Sequence, residues 1–256
     1  MRKEVTMANI PVKVKKRFSD SLKKYKPILT RAEKQDLNES DTVTIIVDML
    51  SDIFGYDKYT DITSEFAIKK TYCDLAIRID GVVKILIEVK SIATNLRENH
   101  LKQATDYGSN AGIDWVVLTN GETWKVYKII FGKPIEHELV YEFNMHDLKA
   151  TNADDICYLF MLSKEAIGKK GDSLDEYHAQ KKLLNPPMLA QIILHDDVIN
   201  AIKRTLRKVS SDTKVSSDEI YQILVNDVLK RDALDDEKTP EYKRKIARAT
   251  KRKVKA

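Results

Sequence analysis

The chain has 256 residues, 43% of them hydrophobic, a formal net charge of +5 and two cysteines. That is enough apolar material for one large domain or two smaller ones, and Cys73 and Cys157 are too few to staple a small disulfide scaffold. No apolar run approaches the roughly 20 residues that cross a bilayer, and "MRKEVTMANIPVKVKKRF" has no apolar h-region, so a cytoplasmic protein without a membrane partner is expected.

In chain order, "VKVKKRFSDSLKKYKPILTR" (12–31) places Val14, Phe18, Leu22 and Tyr25 near helical spacing, an amphipathic helix with a wet basic face. "NESDTVTIIVDMLSDIF" (38–54) is a second helix, capped by Ser40 or Asn38 and closed by Gly55. "EFAIK", "YCDLAIRI" and "VVKILIEVK" are short and rich in branched residues, and Asp80-Gly81 between the last two is a hairpin signal. "NLRENHLKQATDYGSNAG" is a helix ending at Gly108 or Gly112, followed by "DWVVLT", the turn Asn120-Gly121 and "TWKVYKII". Strand, helix and strand from residue 82 to 119 make a βαβ crossover, so those two strands should be parallel.

Beyond about residue 150 the pattern turns helical: "DDICYLFML", "SLDEYHAQKKLL", "PPMLAQIILHDDVINAIKRTLRKV" with prolines at its start, and "SSDEIYQILVNDVLK" with a capping box from Ser216 to Glu219. The last stretch, Glu241 to Ala256, holds eight Lys or Arg against one Glu, a net of +7 that leaves the remaining 240 residues at −2. It is either a phosphate-binding arm or a solvated, frayed terminus. The expected division is an N-terminal helical segment (1–36), an α/β domain (37–150), a helical region (151–235) and a basic tail (236–256).

Alternation sorts the hairpin strands into faces. Leu75, Ile77 and Ile79, with Val83, Ile85, Ile87 and Val89, point toward a core, and Asp74 lies on the other face with Glu88 and Lys90. A two-residue Asp80-Gly81 loop would put the carboxylates on opposite faces. An odd-membered loop, most simply Ile79-Asp80-Gly81 with Gly81 in the left-handed position, brings them together, so a bulged turn is expected. Two carboxylates on neighbouring strands can hold a hard cation such as Mg²⁺, and an ammonium beside it can orient water or stabilise developing charge. The plainer reading of the same residues is a surface cross-strand ion pair.

The run from about Glu39 to Lys128 resembles the PD-(D/E)xK nuclease superfamily, and more closely the N-terminal nuclease domain of type I restriction enzyme R subunits. The resemblance rests on Asp74 in "YCDLAI", Glu88 and Lys90 in "LIEVKS", and Gln103 with Tyr107 in "KQATDYGSN", the QxxxY motif of the RecB-like branch. Glu39 sits where the superfamily often carries a further acidic residue, and Cys73 stands where the motif has Pro. The resemblance implies a mixed core sheet of about four to five strands flanked by helices, followed here by a helical C-terminal region. It implies Mg²⁺-dependent phosphodiester hydrolysis, with Mn²⁺ able to substitute. Asp74, Glu88 and the Val89 carbonyl would ligate the metal, Lys90 would position or activate water, Gln103 and Tyr107 would organise substrate, and Glu39 would complete the outer shell.

Gln103 and Tyr107 are one helical turn apart and share a face, so they can act together. The five His are scattered without ligand spacing, and His100, although near the motif, is read as an ordinary surface or packing residue. No GxxxxGK[ST] occurs, and "GKKGDS" at 168–173 has the wrong order. The expectation is a stand-alone nuclease acting on DNA, without a nucleotide cofactor or ATP-driven motor; a homo-oligomer is compatible with it. The alternative is a catalytically silent module that binds nucleic acid or a protein partner on the same fold.

Overall fold

Six strands form one mixed sheet in spatial order β1 to β6: β1 (Ile62–Ile68), β2 (Thr71–Ile79), β3 (Val82–Val89), β4 (Trp115–Thr119), β5 (Thr123–Ile130) and β6 (Glu136–Asn144). This computed structural model describes residues 10–68, 71–168, 173–210 and 214–253. Most of the "GKKGDS" run and the last three residues of the basic tail lie outside the described residues. Pairing is antiparallel except between β3 and β4, which are joined through helix α3 (Glu98–Ala111) as the crossover requires.

The sheet is covered on both faces. On one, Leu75, Ile77, Ile87, Val117, Trp124 and Val126 pack with α1 (Val12–Lys34), through Phe18, Leu22 and Leu29, and with α2 (Glu39–Asp52), through Ile46 and Met49. On the other, Ala76, Leu86, Val116 and Ile129 lie under Leu101, Ala104 and Tyr107 of α3. That helix sits close: a Cβ on Gly108 would fall 2.4 Å from Ile129 Cδ1 and 2.7 Å from the Ile113 carbonyl, so only glycine permits the approach. Gly112, at φ 69°, ends it in the left-handed conformation.

The α/β class is as expected, with β6 as a further strand. Its residues Val140 and Tyr141 are both buried, because the β5–β6 register shifts between Val126 and Tyr127; this breaks the two-residue alternation that marks a strand in sequence. Asn38 is the cap of α2, its side chain accepting from the Asp41 amide.

The chain groups into two compact units, Met1–Tyr177 and His178–Ala256. Helices α4 (Ala153–Met161) and α5 (Lys164–Ile167) join the first unit's core through Ile156, Leu159, Ala166 and Ile167. Next comes α6 (Ser173–Leu183). The second unit continues with α7 (Pro186–Ile193), α8 (Asp196–Val209), α9 (Ser217–Ile223) running into a π-helical turn (Leu224–Val228), α10 (Arg231–Leu234) and α11 (Thr239–Lys253). The single helix expected over 186–209 is broken at Leu194-His195, where the His195 ring accepts from the Asp197 amide and starts a new helix; imidazole is an unusual cap, so the break has no ordinary sequence signal. Residues 239–253 of the basic tail are helical, so this stretch is not a frayed terminus.

Candidate functional site

Asp80 (φ 50°) and Gly81 (φ 79°) both take positive φ and close a two-residue turn of the I′ kind, with Ile79 opposite Val82 and Arg78 opposite Val83. The expected three-residue loop Ile79-Asp80-Gly81 is therefore replaced by a tighter turn that Asp-Gly forms readily. The register changes further inward: Ile77 pairs with Ile85, leaving Lys84 as the extra residue of a bulge. Leu75 then faces Ile87, a register in which Asp74 and Glu88 fall on one face of the hairpin.

Beyond Leu75 the two strands stop exchanging backbone bonds in the ordinary way. The Lys90 amide donates to the Thr119 carbonyl of β4 at 2.9 Å, so the preceding Val89 N–H points toward β2. There it donates to Asp74 Oδ2 at 2.7 Å, the carboxylate standing in for a strand carbonyl.

Glu88 is 1% exposed; its Oε1 accepts from Lys90 Nζ at 2.8 Å, while Oε2 is buried without a partner. Lys90 Nζ also reaches Oε2 of Glu39, the first residue of α2, at 3.5 Å. Carboxylates from β3 and α2 thus meet one ammonium, which the charge of Asp74 on β2 also reaches. Burial raises the Glu88 carboxyl to about 7, with Lys90 opposing and Asp74 and Glu39 adding to the shift. Burial also raises Asp74, against the Val89 amide and Lys90. At Lys90 burial works against the charge, and the Glu88 hydrogen bond with the fields of Glu88, Glu39 and Asp74 outweighs it, so the ammonium is held above its usual range. Both values rise, which disfavours the charged form of Glu88 and favours that of Lys90, because Glu88 is the more deeply buried partner and desolvation of its charge dominates.

This donor set fits a hard divalent cation. An unpartnered buried carboxylate oxygen is costly, and the second carboxylate, Asp74, is held by the Val89 amide and acts on Glu88 through its charge. Among the described residues no group of three or more His, Cys, Asp or Glu side chains converges as ligands. A site here therefore rests on the two carboxylates Asp74 and Glu88, the backbone oxygen of Val89 and water, a complement suited to Mg²⁺.

Gln103 and Tyr107 form their own pair on α3, Gln103 Nε2 donating to the Tyr107 hydroxyl at 2.8 Å. The Tyr107 ring packs into the cluster on the α3 side of the sheet, with Cys73, Ala76 and Leu86. Among the described residues neither hydrogen-bonds to Asp74, Glu88 or Lys90. His100 Nδ1 accepts from the Arg97 amide at 3.3 Å and closes the first turn of α3, a structural role.

Sequence reasoning passed over Asn120 as a plain turn residue. Its amide nitrogen donates to the Ile92 and Thr94 carbonyls at 3.0 and 3.1 Å, and its oxygen accepts from the Glu122 and Thr123 amides. It thereby ties down the loop that follows Lys90. The Asn-Gly pair announces a turn, but nothing in sequence announces those long-range bonds.

The sheet, its crossover helix and the cluster at the ends of β2 and β3 define a mixed α/β domain with an acidic, lysine-bearing centre. Residues 39–141 match the family model of the type I restriction enzyme R protein N terminus. The match runs from the first residue of α2 into β6, includes every candidate site residue, and supports a restriction-enzyme-like nuclease. No curated protein and no solved structure gives a match.

Proposed function

We propose that the α/β domain is a metal-dependent nuclease that hydrolyses phosphodiester bonds in DNA, in the manner of the PD-(D/E)xK superfamily. The observation that carries this reading is the buried, unpartnered Glu88 Oε2, in a carboxylate that feels the charge of Asp74 and whose other oxygen accepts from Lys90. Asp74, Glu88 and the Val89 carbonyl would hold Mg²⁺ or Mn²⁺. When bound, such an ion would polarise a phosphoryl oxygen and lower the pKa of water at the site. Lys90, kept protonated by Glu88, serves as a donor that orients water and stabilises negative charge developing on the phosphoryl group, rather than as a base. Gln103 and Tyr107 position the substrate strand, and Glu39 sets the outer electrostatics through Lys90. ATP is not required.

The test is incubation of linear, circular and single-stranded DNA with Mg²⁺, Mn²⁺ or EDTA. Wild type is expected to nick or degrade DNA only with metal, and Asp74→Ala, Glu88→Ala and Lys90→Ala to lose this. Undiminished cutting by Glu88→Ala points to a contaminant, and binding without cutting by wild type replaces the proposal with a silent binding module.

A further inference from the structure

The C-terminal half of α8 carries charge that the fold itself does not use. From Arg204 to Val209 every residue is exposed, and Ile199 is the one buried residue of the helix, so the last turns project from their packing. Arg204, Arg207 and Lys208 fall on one side, at i, i+3 and i+4. Val198, Ile199, Ile202 and Leu206 fall on the opposite side. Like charges at these spacings repel by a few tenths of a kcal/mol per pair. Among the described residues none of the three makes an ion pair. Lys203 differs, since its field already helps to hold the Glu219 carboxyl of α9 below its usual range.

We infer that Arg204, Arg207 and Lys208 form a phosphate-gripping edge that binds the backbone of duplex DNA; the choice of DNA rests on the nuclease reading above. Guanidinium groups on a projecting helix match phosphate oxygens in bidentate geometry, and the anion relieves the repulsion between them. A helix of about 10–12 Å diameter is also what a major groove about 12 Å wide admits. A membrane surface fits less well. Interfacial helices rely on aromatic and leucine-rich faces, whereas α8, "DDVINAIKRTLRKV", has no aromatic residue and exposes only Leu206 and Val209 as large apolar side chains.

The experiment measures binding of the full chain to a 30-base-pair duplex in EDTA by fluorescence anisotropy, across a salt series. Wild type is expected to bind. Arg204→Gln/Arg207→Gln/Lys208→Gln, whose replacements retain helix propensity, is expected to bind at least tenfold more weakly, with a log–log salt slope smaller by about 2 to 3 at ~0.9 per phosphate contact. Unchanged far-UV circular dichroism separates this loss from unfolding, and Arg207→Lys should keep most of the slope. Equal affinity and slope for wild type and triple variant overturn the inference, as does wild type binding phosphatidylserine vesicles but not the duplex. Metal is absent throughout, so failure of the cleavage assay and failure of this binding assay are distinguishable.

Discussion

Asp74 Oδ2 accepts the Val89 amide hydrogen at 2.7 Å, and this bond both fills a gap in the β2–β3 ladder and fixes the orientation of the carboxylate. The two jobs separate by substitution. Asp74→Asn can still accept from Val89, whereas Asp74→Ala leaves that amide without its partner at a cost of about 1–3 kcal/mol. Both variants are expected to lose cleavage, and only the alanine variant to melt several degrees lower in EDTA. Equal melting temperatures would show that the bond does not hold the strand.

Glu88 gives a pH dependence of defined sign. Its folded value of about 7 lies above the ordinary 4.5, so the native state holds an extra proton between those values. The stability contributed by this group is fully present below pH 4.5 and lost as pH rises through about 7. In EDTA, Glu88→Gln should therefore be more stable than wild type at pH 8, by on the order of 3 kcal/mol at most, and the gap should close by pH 5. Mg²⁺, competing with that proton, should raise the wild-type melting temperature more at pH 8 than at pH 6 and leave Glu88→Gln unmoved. A metal-induced shift of equal size in the variant would remove Glu88 from the ligand set.

The face that Asp74 and Glu88 share was legible in sequence because parity is unforgiving: a strand shifted by one residue turns every side chain over. The device that restores parity was not legible. Asp80-Gly81 satisfies a two-residue turn completely, and the bulge at Lys84 leaves no residue-type signature, since an unpaired lysine at the exposed start of a strand looks like any other. Asp74, Glu88 and Lys90 stood out by spacing and hairpin context, whereas the Val89 amide bond and the orphaned Glu88 oxygen depend on how β2 parts from β3. The start of α8 escaped for a related reason, because His195 caps the helix where Ser, Thr, Asp or Asn would announce one.

The bulge can be tested directly. Deleting Lys84 removes the unpaired residue, so either the turn must rebuild or Glu88 must move to the opposite face. Cleavage should vanish in protein that still folds, or the hairpin should be grossly destabilised. Gly81→Val tests the turn alone: a Cβ there meets nothing within 4 Å, so the cost is backbone strain at positive φ, about 1–2 kcal/mol, with the register set by the bulge and cleavage retained in the folded fraction. Full activity after Lys84 deletion would refute the parity argument.

Arg17 holds the helices of the first unit together by a forked contact. Its two terminal nitrogens meet the Glu165 oxygens at 2.7 and 2.8 Å, and Nε donates to the Ile53 carbonyl at 2.8 Å. Burial pushes the Glu165 carboxyl up, and the Arg17 guanidinium outweighs it, so the carboxyl is held below its usual 4.5. For a depressed carboxylate the sign is the reverse of that at Glu88. The stability it contributes is present above the ordinary value and lost as pH falls through the folded value. Glu165 is partly exposed, so solvent screening limits the contribution to about 1 kcal/mol. Arg17→Lys, which keeps the charge but cannot fork, and Glu165→Gln should each lower the melting temperature by a few degrees at pH 7. The difference between wild type and Glu165→Gln should shrink steadily as pH drops below 4.5, and a difference that stays constant from pH 7 to pH 3 would mean that the pair acts through shape alone.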